Sequence, residues 1–418
     1  MTDRDDLIYD WNTTDPVPAP PHPIEFDDET LRDGLQCPSV TNPAVDEKVR
    51  LLHLMNDLGL RYVDVGLPGA GPHVVETVTR LIEEIRDAKL DIEPNCAART
   101  VVADVEPVAA IQQKTGVPIE VSTFIGSSQI RAYTEDWDLQ TMLKHSVNAL
   151  KFAVKEGLSV MFVTEDTTRA HPDTLRALYG AALEHGASRL CFCDTVGHST
   201  PSGASNLIEW AVKLVEESGR TDVKIDWHGH MDRGLGIENS IAALQAGAHR
   251  VHGTGLGIGE RAGNTPMDLL LVNLKLLGWI DNDLRRLGEY VHATSEAVHV
   301  PIPAGYPVFG QDAFETGTGV HAAAVIKAKQ KGDEWLANRV YSGVPADDFG
   351  MEQVIRVGPM SGKSNVVYWL EDHGYEATES RVDRIFHAAK DARSLLGDDA
   401  LHTLAKQEEP ATEATGQG

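Results

Sequence analysis

Two short motifs, far apart in the chain, carry residue types that could bind one metal ion together. One is segment 29–34, ETLRDG, and the other is segment 226–230, DWHGH. In an extended strand, residues i and i+2 point to the same face, so His228 and His230 can offer two imidazoles to a single ion. Asp33 supplies the carboxylate that a two-histidine site usually recruits. Arg32 is a fixed cation suited to a carboxylate or a developing oxyanion. The pattern predicts a divalent-metal site that polarises an oxygen-rich substrate.

The composition limits the classes of partner. The chain has 418 residues, 42% of them hydrophobic, which is ordinary for a folded protein with a sizeable core. It carries 37 Lys and Arg against 63 Asp and Glu, a net charge of −26. Such a charge repels nucleic acid and anionic membranes, so we expect neither as a partner. Anionic small substrates stay possible, because a metal ion and a few arginines reverse the potential locally.

The four cysteines are Cys37, Cys96, Cys191 and Cys193. The last two share one face of a strand-like run, and we expect them to be small buried residues of the core rather than metal ligands. The N-terminus lacks the basic and apolar regions of a signal peptide, and no uncharged stretch approaches the length of a membrane span. These observations favour a reducing cytoplasm.

The chain alternates short β-like runs with helix-like segments, and many of the latter end in glycine. Eight runs spaced by roughly 25 to 40 residues match the length of a βα unit and predict an α/β fold, a (β/α)8 TIM barrel over residues 22–300. A flexible arm over 1–21 is expected before it. A small helical accessory subdomain (301–400) and a disordered tail (401–418) are expected after it. The predicted strands are 23–27, 61–66, 91–96, 118–124, 158–163, 188–194, 222–228 and 249–254, and the subdomain helices are 319–330, 351–354, 365–372 and 381–396.

The barrel prediction gathers the polar residues at one end. Catalytic groups of such barrels lie at the C-terminal ends of the strands. Several polar residues of this sequence fall at those ends, which strengthens the case for a metal site. They are Arg32 and Asp33 after strand 1, Asp64 at strand 2, Glu165 at strand 5, Thr195 at strand 6, His228 and His230 at strand 7, and the loop 255–264 after strand 8.

Five motifs together resemble a known enzyme family. They are DETLRDGLQ (28–36), EDTTR (165–169), DTVG (194–197), HGH (228–230) and GIGERAGN (257–264). The sequence is similar over about residues 24–395 to the 2-isopropylmalate, citramalate and homocitrate synthases and their lyase relatives. The resemblance implies an acyltransferase that performs a Claisen-type condensation of acetyl-CoA with a 2-oxo acid. It also implies a divalent ion, Mg, Mn or Zn.

The resemblance assigns further roles around the metal. It implies Asn264 as an additional ligand, with a role in fixing the loop 255–264 as the alternative, and Thr195 as a group that binds the carboxylate of the 2-oxo acid. Gln36, Asp64 and Ser122 are expected to line the substrate side. Two positions depart from the family: Asp64 stands where a Glu is usual, and Ser122 stands where many relatives have a His.

The region after the barrel distinguishes condensing enzymes from lyases. Segments 314–321 (FETGTGVH) and 357–363 (VGPMSGK) resemble the subdomain of isopropylmalate synthases. That resemblance implies a homodimer in which His321 and Tyr341 of one chain reach the barrel of the other. The general base is then either Glu165 or His321, with Tyr341 as a relay. No leucine-sensing domain is expected after the subdomain.

The leading hypothesis is a 2-isopropylmalate synthase of leucine biosynthesis, with 2-oxoisovalerate as the acceptor. Pyruvate and 2-oxoglutarate, the acceptors of citramalate and homocitrate synthases, remain open. A metal-dependent lyase of the HMG-CoA lyase type is a second class, disfavoured because loop 255–264 has no cysteine. A third is a non-catalytic regulator that binds a 2-oxo acid, against which the intact ligand set argues.

Overall fold

A computed structural model describes residues 7–16 and 18–407 of the chain. The outermost parts of the expected arm (1–21) and tail (401–418) therefore lie outside the described residues. Eight parallel strands form a closed barrel in chain order, and β1 pairs with β8 to complete it. The (β/α)8 prediction is thus confirmed. The strands are β1 Glu25–Asp28, β2 Tyr62–Asp64, β3 Glu93–Arg99, β4 Glu120–Gly126, β5 Ser159–Glu165, β6 Arg189–Asp194, β7 Lys224–Gly229 and β8 Arg250–Gly253.

Helices follow the strands, and local sequence explains several of their ends. The Asp138 carboxylate accepts a hydrogen bond from the Thr141 amide, and the Thr200 hydroxyl accepts one from the Gly203 amide; both are N-caps. Gly219 ends one helix at φ +74°, a conformation that glycine adopts without strain. The helices of this part are α1 Val45–Asp57, α2 Pro72–Ala88, α3 Val102–Thr115, α4 Gln129–Thr134, α5 Leu139–Lys155, α6 Pro172–Glu184, α7 Pro201–Ser218, α8 Gly236–Gln245, α9 Met267–Leu276 and α10 Leu287–Val298.

The first residues of several strands fill the N-terminal end of the barrel with charge. Asp226 accepts hydrogen bonds from Arg189 Nη1 (2.7 Å) and Arg250 Nε (2.5 Å). Arg250 also donates to Glu120 (2.6 Å), and Arg189 pairs with Glu25. Arg250 and Asp226 are completely buried. This paired network occupies the barrel at that end, so a cavity is left at the opposite end, where the polar strand ends gather.

The chain divides into two compact units. The first runs to residue 283 and includes 289–301, and the second comprises 284–288 and the chain from 302 onward. The second unit has a core of Val366, Trp369, Leu370 and Ile385 among other apolar residues. It contains helices α11 Gly319–Gln330, α12 Glu334–Ala337, α13 Lys363–Asp372, α14 Glu379–Asp391 and α15 Asp398–Lys406, with a small parallel sheet of β9 Glu315–Thr316 and β10 Val354–Ile355.

Two predictions for the second unit were wrong. Residues 351–354 do not form a helix, because Val354 and Ile355 pair as a strand with Glu315 and Thr316, and β-branched residues suit a strand. The predicted disordered tail began too early, since residues 401–406 belong to α15. Leu401 and Ala405, one helical turn apart, are buried in the core of this unit.

Among residues 7–16 and 18–407, no helix has both the length and the apolar composition needed to cross a bilayer.

Candidate active site

Asp33, His228 and His230 converge at the C-terminal end of the barrel. Asp33 Oδ2 lies 3.7 Å from His228 Nε2 and 3.9 Å from His230 Nε2. One ligand atom from each residue lies within 4.8 Å of the other two, and all three residues are buried. Two ligands with bonds of about 2.1 Å to one ion span at most ~4.2 Å, so one ion can contact Asp33 and either imidazole. The geometry fits the metal site expected from the motifs.

Glu29 orients His228 within this group. Glu29 Oε2 lies 2.7 Å from His228 Nδ1, which leaves Nε2 directed toward Asp33. A ligating histidine commonly gives its second ring nitrogen to a carboxylate in this way. Burial opposes the charged form of His228, but the Glu29 carboxylate outweighs it and raises the pKa of His228.

His230 and Asn264 add two further features that fit an ion. Burial, followed by the charge of His228, lowers the pKa of His230 to about 4, so its imidazole is neutral and ready to coordinate near pH 7. Asn264 donates from Nδ2 to Asp33 Oδ2 at 2.5 Å. Its Oδ1 is buried and lacks a hydrogen-bond partner within the described part of the chain. A half-turn of that amide would add an oxygen to the donor set.

Arg32 is held beside the ligand group by three carboxylates. It donates from Nε to Asp64 (2.6 Å), from Nη1 to Asp33 Oδ1 (2.6 Å) and from Nη2 to Glu29 (3.0 Å). Burial works against ionisation of Asp33, but Arg32 lowers its pKa below the usual range. These contacts fix the guanidinium beside the candidate metal ligands and keep Asp33 ionised, the form in which a carboxylate can bind a cation.

Asp64 differs electrostatically from Asp33. It is 1% exposed at the end of β2. Burial raises its pKa to about 7, although Arg32 pulls in the opposite direction. Asp64 therefore changes its charge near neutral pH, directly beside Arg32.

A cavity of about 160 Å³ contains the ligand group. Of the residues predicted to bind substrate, Gln36, Ser122 and Thr195 line it, whereas Asp64 is not among its lining residues. The predicted catalytic residues Arg32 and Glu165 line it as well. Apolar walls complete the cavity, formed by Leu67, Ala97, Phe124, Met161 and Val163. One cavity thus brings together the candidate metal ligands, a fixed guanidinium and apolar surface.

Glu165 and Thr195 both line this cavity, and each has a feature that suits a role in the reaction. Burial raises the pKa of Glu165, which makes it a better proton acceptor than an exposed carboxylate. Within the segment 165–169, Arg169 forms its ion pair with Asp166 (2.7 Å). The Thr195 hydroxyl accepts a hydrogen bond from the Asp166 amide (2.8 Å), and its own hydrogen is left to donate.

His321 and Tyr341 come together in the second unit. Their rings stack with centroids 4.3 Å apart and an interplanar angle of 30°. Both border a small polar pocket of that unit with Ser342 and Gln353. Their predicted approach to the barrel of a partner chain stays a prediction.

The sequence interpretation missed Glu29 and His252. Buried His252 contacts Glu29 Oε1 through Nδ1 and Asp226 Oδ2 through Nε2, each at 3.2 Å. Glu29 belongs to the same motif as Asp33, and its position three residues before Arg32 was the available signal. Nothing in the local sequence of His252 marked it, because its partners come from other strands.

Curated relatives cover most of this chain. It is 32% identical over 90% of its length to a probable 2-isopropylmalate synthase of Methanopyrus kandleri, covering 70% of that protein. It is 30% identical over 91% of both chains to a homocitrate synthase of the same organism. A putative (R)-citramalate synthase from that organism is also 30% identical, over 89% of this chain and 69% of the relative.

Solved structures of other proteins have a similar barrel fold. An HMG-CoA lyase from Bacillus subtilis matches with a TM-score of 0.57 and 19% identity, over 69% of this chain and 97% of that one. An HMG-CoA lyase from Acinetobacter baumannii matches with a TM-score of 0.55 and 17% identity, over 65% of this chain and 90% of that one. At such identities these two share the fold. A family model described as HMGL-like matches residues 23–292, well over half of the chain, and the protein therefore belongs to the HMGL-like family.

Proposed function

We propose that this protein is an acyltransferase that condenses acetyl-CoA with 2-oxoisovalerate, giving 2-isopropylmalate and CoA for leucine biosynthesis. The observation that carries the proposal is the convergence of Asp33, His228 and His230 beside Arg32 in one cavity. The similarity of this chain over 90% of its length to a probable 2-isopropylmalate synthase supports the same reaction.

A divalent ion, Mg, Mn or Zn, would be held by Asp33, His228 and His230, with Asn264 Oδ1 as a further oxygen. When bound, it supplies Lewis acidity and a template for the ketone and carboxylate oxygens of a 2-oxo acid. Arg32 has five N–H donors, and three of them serve carboxylates. The other two can donate to substrate oxygens, which favours the oxyanion that forms on the ketone.

The reaction needs a base that removes a proton from the methyl group of acetyl-CoA. The resulting carbanion attacks the ketone carbon, the alkoxide takes up a proton, and water cleaves the thioester to release CoA. Glu165 is one candidate for the base, because it lines the cavity and burial raises its pKa. His321 with Tyr341, provided by a partner chain in a homodimer, is the other.

The cavity wall favours an acceptor with a short apolar side chain. Leu67, Phe124 and Met161 present apolar surface. Among the described residues that line the cavity, Arg32 is the only arginine or lysine, and its two remaining N–H groups are assigned above to the ketone end of the substrate. The distal carboxylate of 2-oxoglutarate would therefore lack a cation. This favours 2-oxoisovalerate or pyruvate as the acceptor. The two acids differ by two methyl groups, and one such group in an apolar pocket contributes roughly 1–3 kcal/mol to discrimination between substrates.

A thiol-release assay tests the proposal. The protein, loaded with Mg²⁺ or Mn²⁺, is incubated with acetyl-CoA and in turn with 2-oxoisovalerate, pyruvate and 2-oxoglutarate. We expect release of CoA to be fastest with 2-oxoisovalerate. Faster release with pyruvate or 2-oxoglutarate would reassign the acceptor, and release with none of the three would overturn the condensing function.

Asp33→Ala provides the matching negative control. It removes the carboxylate that joins Arg32, Asn264 and both histidines, so binding of Mn²⁺ and turnover should disappear together. Turnover that persists in this variant, or in wild-type protein treated with a chelator, would contradict the metal-dependent mechanism.

A further inference from the structure

Two thiols lie in the same cavity wall as the metal group. Cys191 and Cys193 occupy alternate positions of β6, so their side chains point to the same face of the strand. Both side chains are buried and both line the cavity. The sequence predicts small buried core residues rather than metal ligands. The structure agrees with the burial but also gives both thiols access to the cavity.

The separation of the two sulfur atoms is informative. Cys191 Sγ and Cys193 Sγ lie 3.8 Å apart. Two thiolates bound tetrahedrally to one ion, with bonds of about 2.3 Å, are separated by ~3.8 Å. A disulfide would need the sulfurs to approach to about 2.05 Å, which the extended backbone between them resists. The pair is therefore spaced to share an ion rather than to bond to each other.

We propose that Cys191 and Cys193 form a second cation site, which binds a soft divalent ion such as Cd²⁺ or Zn²⁺ through both sulfurs. The remaining ligand positions face the cavity, where solvent fills them. This site does not depend on the proposed condensing function, because its ligands are separate from Asp33, His228 and His230.

Neighbouring side chains define how many protein ligands the site offers. His252 already uses both ring nitrogens, toward Glu29 and Asp226. The Met161 sulfur accepts a hydrogen bond from Arg250 at 3.1 Å. Neither His252 nor Met161 is therefore free to bind an ion beside the two thiolates, and the remaining ligand positions of the site exchange with solvent.

Charges of both signs lie near the two thiols, with the carboxylates of Glu29 and Glu165 near Cys193 and the imidazole of His252 near Cys191. Burial raises the pKa of the Cys191 thiol. For Cys193 the contact with Cys191 acts to lower the pKa, but burial and the nearby carboxylates of Glu29 and Glu165 raise it overall. Both groups are thus neutral thiols without an ion. Binding displaces their two protons to solvent, and the ion with two thiolates is neutral overall. Hard ions such as Mg²⁺ prefer oxygen and should not compete.

The position of the pair predicts a consequence for the first site. Cys193 lies level with His228 in the register of β6 and β7. An ion held by the sulfurs would occupy space in the cavity that a substrate needs. Soft divalent cations should therefore obstruct ligand binding in this cavity.

Titration of the full-length protein with Cd²⁺ tests the site, followed by the ultraviolet charge-transfer band of Cd–thiolate bonds. We expect one thiolate-bound Cd²⁺ per chain in the wild type, and ¹¹³Cd NMR should report a shift typical of two sulfur ligands. The band should be lost in Cys191→Ser and Cys193→Ser. It should persist in Cys37→Ser, which removes a cysteine outside the pair, and in Asp33→Ala.

Three results would overturn the proposal: no band in the wild type at saturating Cd²⁺, a band that survives both pair substitutions, or a band lost with Asp33. Detection by mass of a Cys191–Cys193 disulfide in untreated protein would also contradict it. The ¹¹³Cd measurement needs no variant, so it decides even if a substitution impairs folding. A failed thiol-release assay would leave this result untouched, which separates the two proposals.

Discussion

Glu29 Oε2 lies 2.7 Å from His228 Nδ1, and this contact leaves Nε2 of His228 directed toward Asp33. The two residues belong to motifs almost two hundred positions apart in the chain. Glu29 also contacts Arg32 (3.0 Å) and His252 (3.2 Å). One carboxylate therefore positions both the imidazole that would bind an ion and the guanidinium that would meet the substrate.

Glu29→Gln should weaken metal binding without removing a ligand. The amide cannot hold His228 and Arg32 as strongly as the carboxylate does, and loss of such a partner typically costs 10–100-fold in affinity. Calorimetric titration with Mn²⁺ measures the effect. Glu93→Gln, which changes an exposed ion pair with Arg61, is the matched control and should bind as the wild type does. An unchanged Kd in Glu29→Gln would show that Glu29 does not support the site.

Asp64 should make substrate affinity depend on pH near neutrality. Its pKa is raised from 3.8 to about 7, so it is mostly neutral below that value and gains a negative charge as the pH rises through it. The added charge beside Arg32 repels an anionic 2-oxo acid. We expect KM for the acceptor to rise roughly fivefold between pH 6 and 8, an effect of about 1 kcal/mol.

Asp64→Asn supplies the comparison for that profile, since it stays neutral at every pH. Its KM should remain at the low-pH level across the range, once any pH dependence common to both proteins is subtracted. Parallel profiles for the two proteins would rule out Asp64 as the titrating group.

Asp226→Asn should destabilise the fold strongly. The carboxylate is completely buried between Arg189 and Arg250, and removing one partner of a buried ion pair costs about 3–5 kcal/mol. These arginines lower the pKa of Asp226 well below its ordinary value. The contribution of the Asp226 carboxylate to the free energy of unfolding is therefore fully present above the pKa of an aspartate in the unfolded chain, about 4. It is lost as the pH falls toward the pKa of Asp226 in the folded protein. Urea unfolding at pH 7 measures the difference in the free energy of unfolding.

Asp222→Asn is the control for that measurement, because its ion pair with Arg220 is largely exposed. Exposed pairs contribute about 0–1 kcal/mol. Equal losses in Asp222→Asn and Asp226→Asn would mean that the interior network does not support the barrel.

His321→Ala should lower turnover by orders of magnitude while sparing affinity for the 2-oxo acid, if His321 acts on the site of a partner chain. Mixing this inactive variant with Asp33→Ala tests the arrangement directly. In a mixed dimer, one site would combine an intact Asp33 from one chain with an intact His321 from the other, so activity should return. No recovery in verified mixed dimers would place His321 outside a shared site, and Glu165 would then be the preferred base.

Much of this arrangement was readable from the sequence. The spacing of β-like runs predicted eight βα units, because strand and helix periodicity are local properties of the chain. Asp33, His228 and His230 could be grouped because parallel strands in a closed barrel bring their C-terminal ends to one rim. Irregular regions were less predictable. Residues 351–354 are too few for their pattern of apolar residues to distinguish a short strand from a helical turn. The segment that pairs with Val354 also lies far away in sequence, near residue 315.

The sequence alone determined the barrel and the end of the barrel where the candidate ligands gather, since these follow from periodicity and strand order. Only the tertiary structure decided that Glu29 holds His228 while Asp33 faces both histidines, that Arg32 joins three carboxylates, and that two sulfur atoms lie 3.8 Å apart in the same cavity. The physical reason is that distances and burial arise from barrel closure. Closure brings side chains of different strands into contact. It also excludes water from them, and the loss of solvation together with the nearby charges shifts their pKa values.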